Sequence, residues 1–121
     1  MSNFRSLLIW QKSMALTTKI YFSTNNFPKE EIFGLTSQIR RSSISIPSNI
    51  AEGFGRESDK ELLRFLNISV GSLFEMQTQL EIAKNISYLK KYDFNNLYED
   101  SREVERMLVS FIKKIKHTTK P

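Results

Sequence analysis

Cysteine is absent from the sequence, which excludes disulfides and cysteine metal sites. Histidine occurs once, as His117, close to the C-terminal end. A di-metal carboxylate bundle needs Glu-x-x-His pairs on two helices. One histidine in the tail cannot supply them, nor can it complete a Ser–His–acid set within a folded core. Long apolar runs are missing too. No stretch approaches the roughly 18 consecutive apolar residues of a membrane span. Residues 1–20 lack the charged start, apolar run and small-residue cleavage site of a secretory leader. Gly53-Phe54-Gly55 resembles a nucleotide loop only superficially, because no lysine-serine helix start follows it after a strand. These absences lead to an expectation of a non-enzymatic protein in the cytoplasm, with no cofactor, no metal and no membrane partner.

What is present suits a single domain over residues 1–121. Apolar residues make up 40% of the chain, enough to bury a core. The net charge is +5, and it is unevenly placed. From Arg106 onward the basic residues are Arg106, Lys113, Lys114, Lys116 and Lys120, with no acid. Removing these 5 from the 18 basic residues leaves 13, which balances the 13 acidic ones. The excess therefore lies wholly at the C-terminal end. Two readings stay open there. Lysines at a solvated helix terminus suit the helix dipole, and clustered cations also suit nucleic-acid phosphates.

Apolar periodicity predicts four amphipathic helices and no strands, at about residues 4–23, 29–54, 59–87 and 94–117. In the first, Leu7, Trp10, Met14, Thr17 and Tyr21 step by three and four, widened by Leu16 and Ile20. The second is expected to begin at the "FPKEE" segment, with Pro28 in a first turn and Glu30 and Glu31 at the positive end of the dipole. Ile32, Leu35, Ile39, Ile46, Ile50 and Phe54 continue it. Gly53 and Gly55 are expected to end it through the left-handed conformation. The third opens on Ser58 and Glu61, a capping box. Its seam is Leu62, Leu66, Ser69, Leu73, Met76, Leu80 and Ala83. Further apolar residues on both sides of that seam give an arc wider than one core needs, which predicts that another copy covers this helix. Mid-helix Gly71-Ser72 predicts close approach of another backbone. The fourth is expected to start with Asp93 as N-cap and to bury Phe94, Leu97, Ser101, Val104, Leu108, Phe111 and Ile115. Four such helices with short breaks predict an all-α, up-down-up-down antiparallel four-helix bundle.

The stretch "RRSSISIPSNIAEGFGR", residues 40–56, places Pro47 within the second helix. Proline lacks an N–H and its ring collides with the carbonyl four residues back, costing about 3 kcal/mol in a helix interior. The helix either stops near Ile46 or bends and continues. The unbroken apolar register favours a kink at Pro47. Ser42, Ser43 and Ser45 stand beside it as hydroxyls able to serve the freed carbonyls. Beyond the proline, Ser45, Asn49 and Glu52 share one face, and Arg56 lies at i+4 from Glu52, the favourable order for a pair. Ser72, Glu75 and Gln79 form a matching stripe on the third helix. Such stripes either hydrogen-bond each other and fix register between helices or subunits, or face a ligand.

"LTSQIRRSSISIPSNIAEGFGR" followed by "KELLRFLNISVGSLFEMQTQLEIA" closely resembles the bacterial four-helix bundle protein family, also called 23S rRNA intervening-sequence proteins. "IWQKSMAL", "FPKEE" and "SYL" at 87–89 extend the resemblance over roughly Phe4 to Leu89. The family motif carries over as Ser45, Ile46, Pro47, Asn49, Ile50, Ala51, Glu52, Gly53, Gly55 and Arg56. The resemblance implies a ring-like homo-oligomer, specifically a homopentamer. It also implies nucleic-acid binding, suspected from encoding within ribosomal RNA gene insertions and by analogy with a bundle protein that assists a reverse transcriptase. It offers no catalytic residues. Arg40, Arg41, Arg56, Lys113, Lys114 and Lys116 are the candidate nucleic-acid contacts. The motif and stripe residues are expected to serve structure or interface. A structural scaffold that binds a protein partner is the alternative.

Overall fold

The computed structural model describes residues 3–119. Lys120, counted above in the basic tail, lies outside them. The described chain is all-α, with four helices and no strand. They are α1 (Leu8–Thr24), α2 (Leu35–Phe54), α3 (Asp59–Asn85) and α4 (Lys91–Thr119). Short 3-10 turns at Phe4–Ser6 and Lys29–Glu31 precede α1 and α2. Each helix packs against its neighbours in the cyclic order α1, α2, α3, α4 and back to α1, with the α2–α3 contact the most extensive.

One core runs through all four helices. Leu16, Ile20, Ile39, Ile46, Ile50, Leu66, Leu73, Met76, Leu80 and Leu108 are almost wholly removed from water. Burial of each such side chain contributes on the order of 1.5–3 kcal/mol. The seams expected for α3 and α4 face inward, including the small Ser69 and Ser101. The inward stripe of α1 is displaced from the expected one. It is Ile9, Ser13, Leu16, Ile20 and Thr24, while Met14 and Tyr21 are exposed. Small hydroxyl residues occupy inward positions because their side chains bond within the helix. Ser13 Oγ donates to Trp10 O and Thr24 Oγ1 to Ile20 O, at 2.9 and 2.8 Å.

The start of α2 also differs from the expectation. "FPKEE" forms a 3-10 turn, and the helix begins only at Leu35, leaving Ile32 exposed. Gly34, the N-cap, has no side chain to offer. Glu31 serves instead, accepting from Leu35 N at 3.2 Å through Oε1. A Cβ on Gly34 would stand 2.6 Å from that oxygen. The other oxygen of Glu31 accepts from the Tyr88 hydroxyl at 2.8 Å, tying the α1–α2 connection to the α3–α4 connection. α4 starts earlier than expected, at Lys91, which places Asp93 inside the first turn.

α2 is helical straight through Pro47, and a break near Ile46 is excluded. Its end does not use the left-handed glycine conformation. Gly53 lies inside the helix, and Gly55, the C-cap, has a right-handed φ of −85°. The left-handed residue is Ser87, with φ 68°, in the turn after α3. Gly53 has another reason to be glycine. An added Cβ would meet Leu62 Cδ1 and Phe65 Cβ at 3.1 Å and Leu62 O at 3.3 Å, so α2 and α3 approach closely there. At Gly71, where close approach was expected, an added Cβ would meet nothing from another element of the chain within 4 Å.

Candidate nucleic-acid interface

The proline stretch is bound into the fold from both sides. With no N–H on Pro47, the Ser43 carbonyl lacks its helical donor. Thr17 of α1 supplies one. Its Oγ1 lies 3.0 Å from Ser43 O and 2.9 Å from Ser13 O, so its one proton serves either carbonyl. From the other side, Ser69 of α3 donates to Ile46 O at 2.9 Å. The neighbouring serines do not take this role. Ser43 Oγ donates back to Arg40 O, and Ser42 Oγ lies 2.7 Å from Gln79 Oε1.

The two polar stripes meet each other. Asn49 Nδ2 donates to Ser45 O and Oγ at 2.8 and 2.9 Å, and Ser72 Oγ donates to Ser45 Oγ at 2.8 Å. Gln79 is buried, whereas Glu52 and Glu75 are exposed. Glu52 pairs with Arg56 at 2.7 Å. Beside these bonds lies an open polar cavity of about 510 Å³, lined by Phe33, Gln38, Arg41, Ser45, Ser72 and Glu75 among others. Phe33 at its edge is 94% exposed, and Ile68 and Ile82 on α3 and Ile86 at its C-cap are also exposed.

The six cationic candidates fall into different surroundings. Arg40 is committed within the chain. Its Nε donates to Thr24 Oγ1 at 2.8 Å, its Nη2 to Asn25 Oδ1 at 3.0 Å, and its guanidinium stands 4.7 Å from the Tyr21 ring centre. Arg41 is exposed beside the polar cavity. Arg56 is shared between Glu52 and the face of Phe65. Lys113, Lys114 and Lys116 are exposed on the last turns of α4. Lys114 lines a groove with Leu7, Leu8 and Ile9, at the start of α1. Arg40 is bonded at the other end of α1, a helix about 25 Å long. The structure therefore does not gather all six. Arg40 and Lys114 stand on the order of 20 Å apart.

It does gather a different set. No acid occurs before Glu30, and none follows Glu105. The fold lays the start of the first acid-free segment against the second. Arg106 and Lys114 line the groove where the two meet, and Lys113 and Lys116 are exposed on the same last turns of α4. Arg5 lies outside it, in a turn that packs on α1 and α2, with its guanidinium 4.8 Å from the Phe4 ring centre. The acids of α4 fall toward its other half, where Glu103 and Asp100 pair with Lys12 and Lys19 of α1 at 3.3 and 2.6 Å. Arg106 belongs to the basic tail but not to the six candidates. The acid-free run after Glu105 is the signal that finds it. Among the described residues, no group of His, Cys, Asp and Glu side chains could hold a metal ion. No described helix is long and apolar enough to cross a membrane.

Comparison with known proteins places this arrangement in a family. No curated protein matches the chain. A solved structure from Bacteroides thetaiotaomicron, of a protein with unknown function from the S23 ribosomal protein family, matches with a TM-score of 0.79. That chain is 28% identical, and the match covers 88% of this chain and 99% of that one. Residues 5–110 match the family described as 23S rRNA-intervening sequence protein. A match of that extent takes in all of α1 to α3 and most of α4, and the chain belongs to the 23S rRNA-intervening sequence protein family.

Proposed function

We propose that this protein is a non-enzymatic, oligomeric accessory protein that binds RNA or DNA through surface charge. The observation behind this reading is the groove between the start of α1 and the end of α4, which Arg106 and Lys114 line without an acid, with Lys113 and Lys116 exposed on the same last turns. Phosphate contacts of this kind are individually weak and are multiplied by repeating the site in an oligomer. Base reading is not expected, because no groove-reading motif stands beside these cations. The family's description, which links it to intervening sequences of ribosomal RNA, agrees with a nucleic-acid partner.

The assembly is proposed as a ring-like homo-oligomer, with a pentamer the form suggested by family resemblance. The α2–α3 face supports a second copy as its cover. It presents Phe33, Ile68, Ile82 and Ile86 to water, carries Arg41 and Glu75 on one cavity, and leaves open space at Gly71. Exposed apolar surface of this kind marks an interaction site. Within each copy, the short connections and the cyclic packing support an up-down-up-down order, and Pro47 inside α2 is the reason to propose a bend there. A cytoplasmic location fits a nucleic-acid partner.

Fluorescence anisotropy with labelled single-stranded RNA and duplex DNA tests the function. Binding at low salt that weakens steeply as salt rises is expected. No binding at low salt would contradict the proposal. The same exposed α2–α3 face favours a second reading, a scaffold for a protein partner. A stable partner that resists nuclease in a pull-down would support that reading instead.

A further inference from the structure

The groove between α1 and α4 has a composition that phosphate contacts alone do not require. It is an open groove of about 410 Å³, a volume within the range of small-molecule sites. Its floor is Leu7, Leu8, Ile9, Met107 and Phe111, and the exposed Leu8 leaves apolar surface in water. Arg106 and Lys114 stand at its rim on α4, spaced about 12 Å along the helix axis. Neither has an acidic partner within the described residues, whereas Lys12, Lys19, Arg56, Arg64 and Arg102 all do. No acid lines the groove.

We propose that this groove binds a small amphipathic anion, an aliphatic chain ending in a carboxylate or a phosphate monoester. The chain would lie on the Leu–Ile–Met–Phe floor and the anionic head at the Arg106 and Lys114 rim. The chemistry of the floor selects this class over an unstacked nucleobase. A base has polar edges that lose water on burial and need partners. Among the described residues, Ser110 is the only uncharged polar side chain lining the groove. An aliphatic chain loses nothing there. Each methylene that becomes buried tightens binding by up to about fourfold. The cations then discriminate by charge, because the site holds two positive groups and no negative one. This site shares Arg106 and Lys114 with the proposed nucleic-acid surface, but it is tested with probes that carry no nucleotide, so its failure and the failure of that reading are distinguishable.

Titration of the full chain with hexanoate, octanoate, decanoate, octyl phosphate and octanol tests the proposal. Amide chemical shifts and calorimetry are followed below the micelle concentration of each probe. Saturable binding is expected, with shifts confined to residues 7–9 and 106–114 and affinity rising with chain length. Octanol should bind about tenfold more weakly than octanoate. Tighter binding of octanoate than of octyl phosphate would assign a carboxylate ligand, and the reverse a phosphate monoester. Arg106→Gln with Lys114→Gln, both exposed positions, should remove the preference over octanol. Met107→Trp, which fills the floor, should remove the dependence on chain length. Absence of saturable binding would overturn the proposal. So would equal binding of octanol and octanoate, or shifts centred on Phe33, Ile82 and Ile86.

Discussion

At the scale of single residues, the proline within α2 is made tolerable by a threonine on another helix. Thr17 meets the carbonyl that Pro47 leaves without a donor. Its replacement by valine keeps the shape and strands a buried acceptor, a loss of about 1–3 kcal/mol. With Pro47→Ala in place, the helix provides its own N–H and the hydroxyl is no longer needed. The cost of Thr17→Val should then fall by at least about 1 kcal/mol, a coupling that urea unfolding of the two single variants and the double variant would read. Equal costs in both backgrounds would refute the link. Two glycines give a second contrast. Gly53→Ala forces a Cβ toward a backbone carbonyl at 3.3 Å and should destabilise by about 1–3 kcal/mol. Gly71→Ala meets nothing within 4 Å and should raise the stability of an isolated chain by up to about 1 kcal/mol. Thermal unfolding of the two variants should therefore move in opposite directions.

Elements show where the sequence is readable and where it is not. The seams of α3 and α4 are legible because leucine, isoleucine and phenylalanine recur there at helical spacing. The α1 stripe is misplaced because its inward positions include Ser13 and Thr24, polar by type but bonded within the helix. The α2 start is misplaced because the helix-starting signals of "FPKEE" close a 3-10 turn, and Glu31 reaches forward to cap a helix that begins later. That glutamate also joins two connections through Tyr88. Hydrogen bonding to the Glu31 carboxylate, and secondarily burial, raise the Tyr88 phenol above its ordinary value of 10.0. A raised value in the folded state means that the neutral phenol is favoured by folding. Its contribution is fully present below pH 10 and is lost as pH rises through the raised value. The stability difference between the protein and its Tyr88→Phe variant should be constant near neutrality and shrink above pH 10, as urea unfolding across that range would show. A difference that grows with pH would reverse the assignment.

For the whole molecule, the cationic site could be read only in part. The tail lysines are visible as an acid-free run, but their partner surface is made by the fold, which brings the apolar start of α1 to Arg106 and Lys114. Arg40 looks equivalent in the sequence and is instead held by Thr24, Asn25 and Tyr21. The apolar excess of α3 is likewise visible in sequence, and the structure leaves Ile68 and Ile82 of α3, and Ile86 at its C-cap, outside the core of the single chain. Light scattering at micromolar concentration should therefore report a multimer. Ile82→Glu, which adds a charge to that face without touching the core, should shift it toward the monomer. A monomer before any substitution would contradict the assembly.

The charge-driven binding surface is the centre of the account, and the salt dependence of nucleic-acid affinity tests it most directly. Each neutralised phosphate contact lowers the slope of log affinity against log salt by about 0.7–0.9. The measurement compares the protein with a Lys113→Gln, Lys114→Gln and Arg106→Gln variant, and separately with Arg41→Gln. The account predicts a shallower slope and weaker binding for the triple variant, and little change for Arg41→Gln. Unchanged affinity and slope in the triple variant would contradict it.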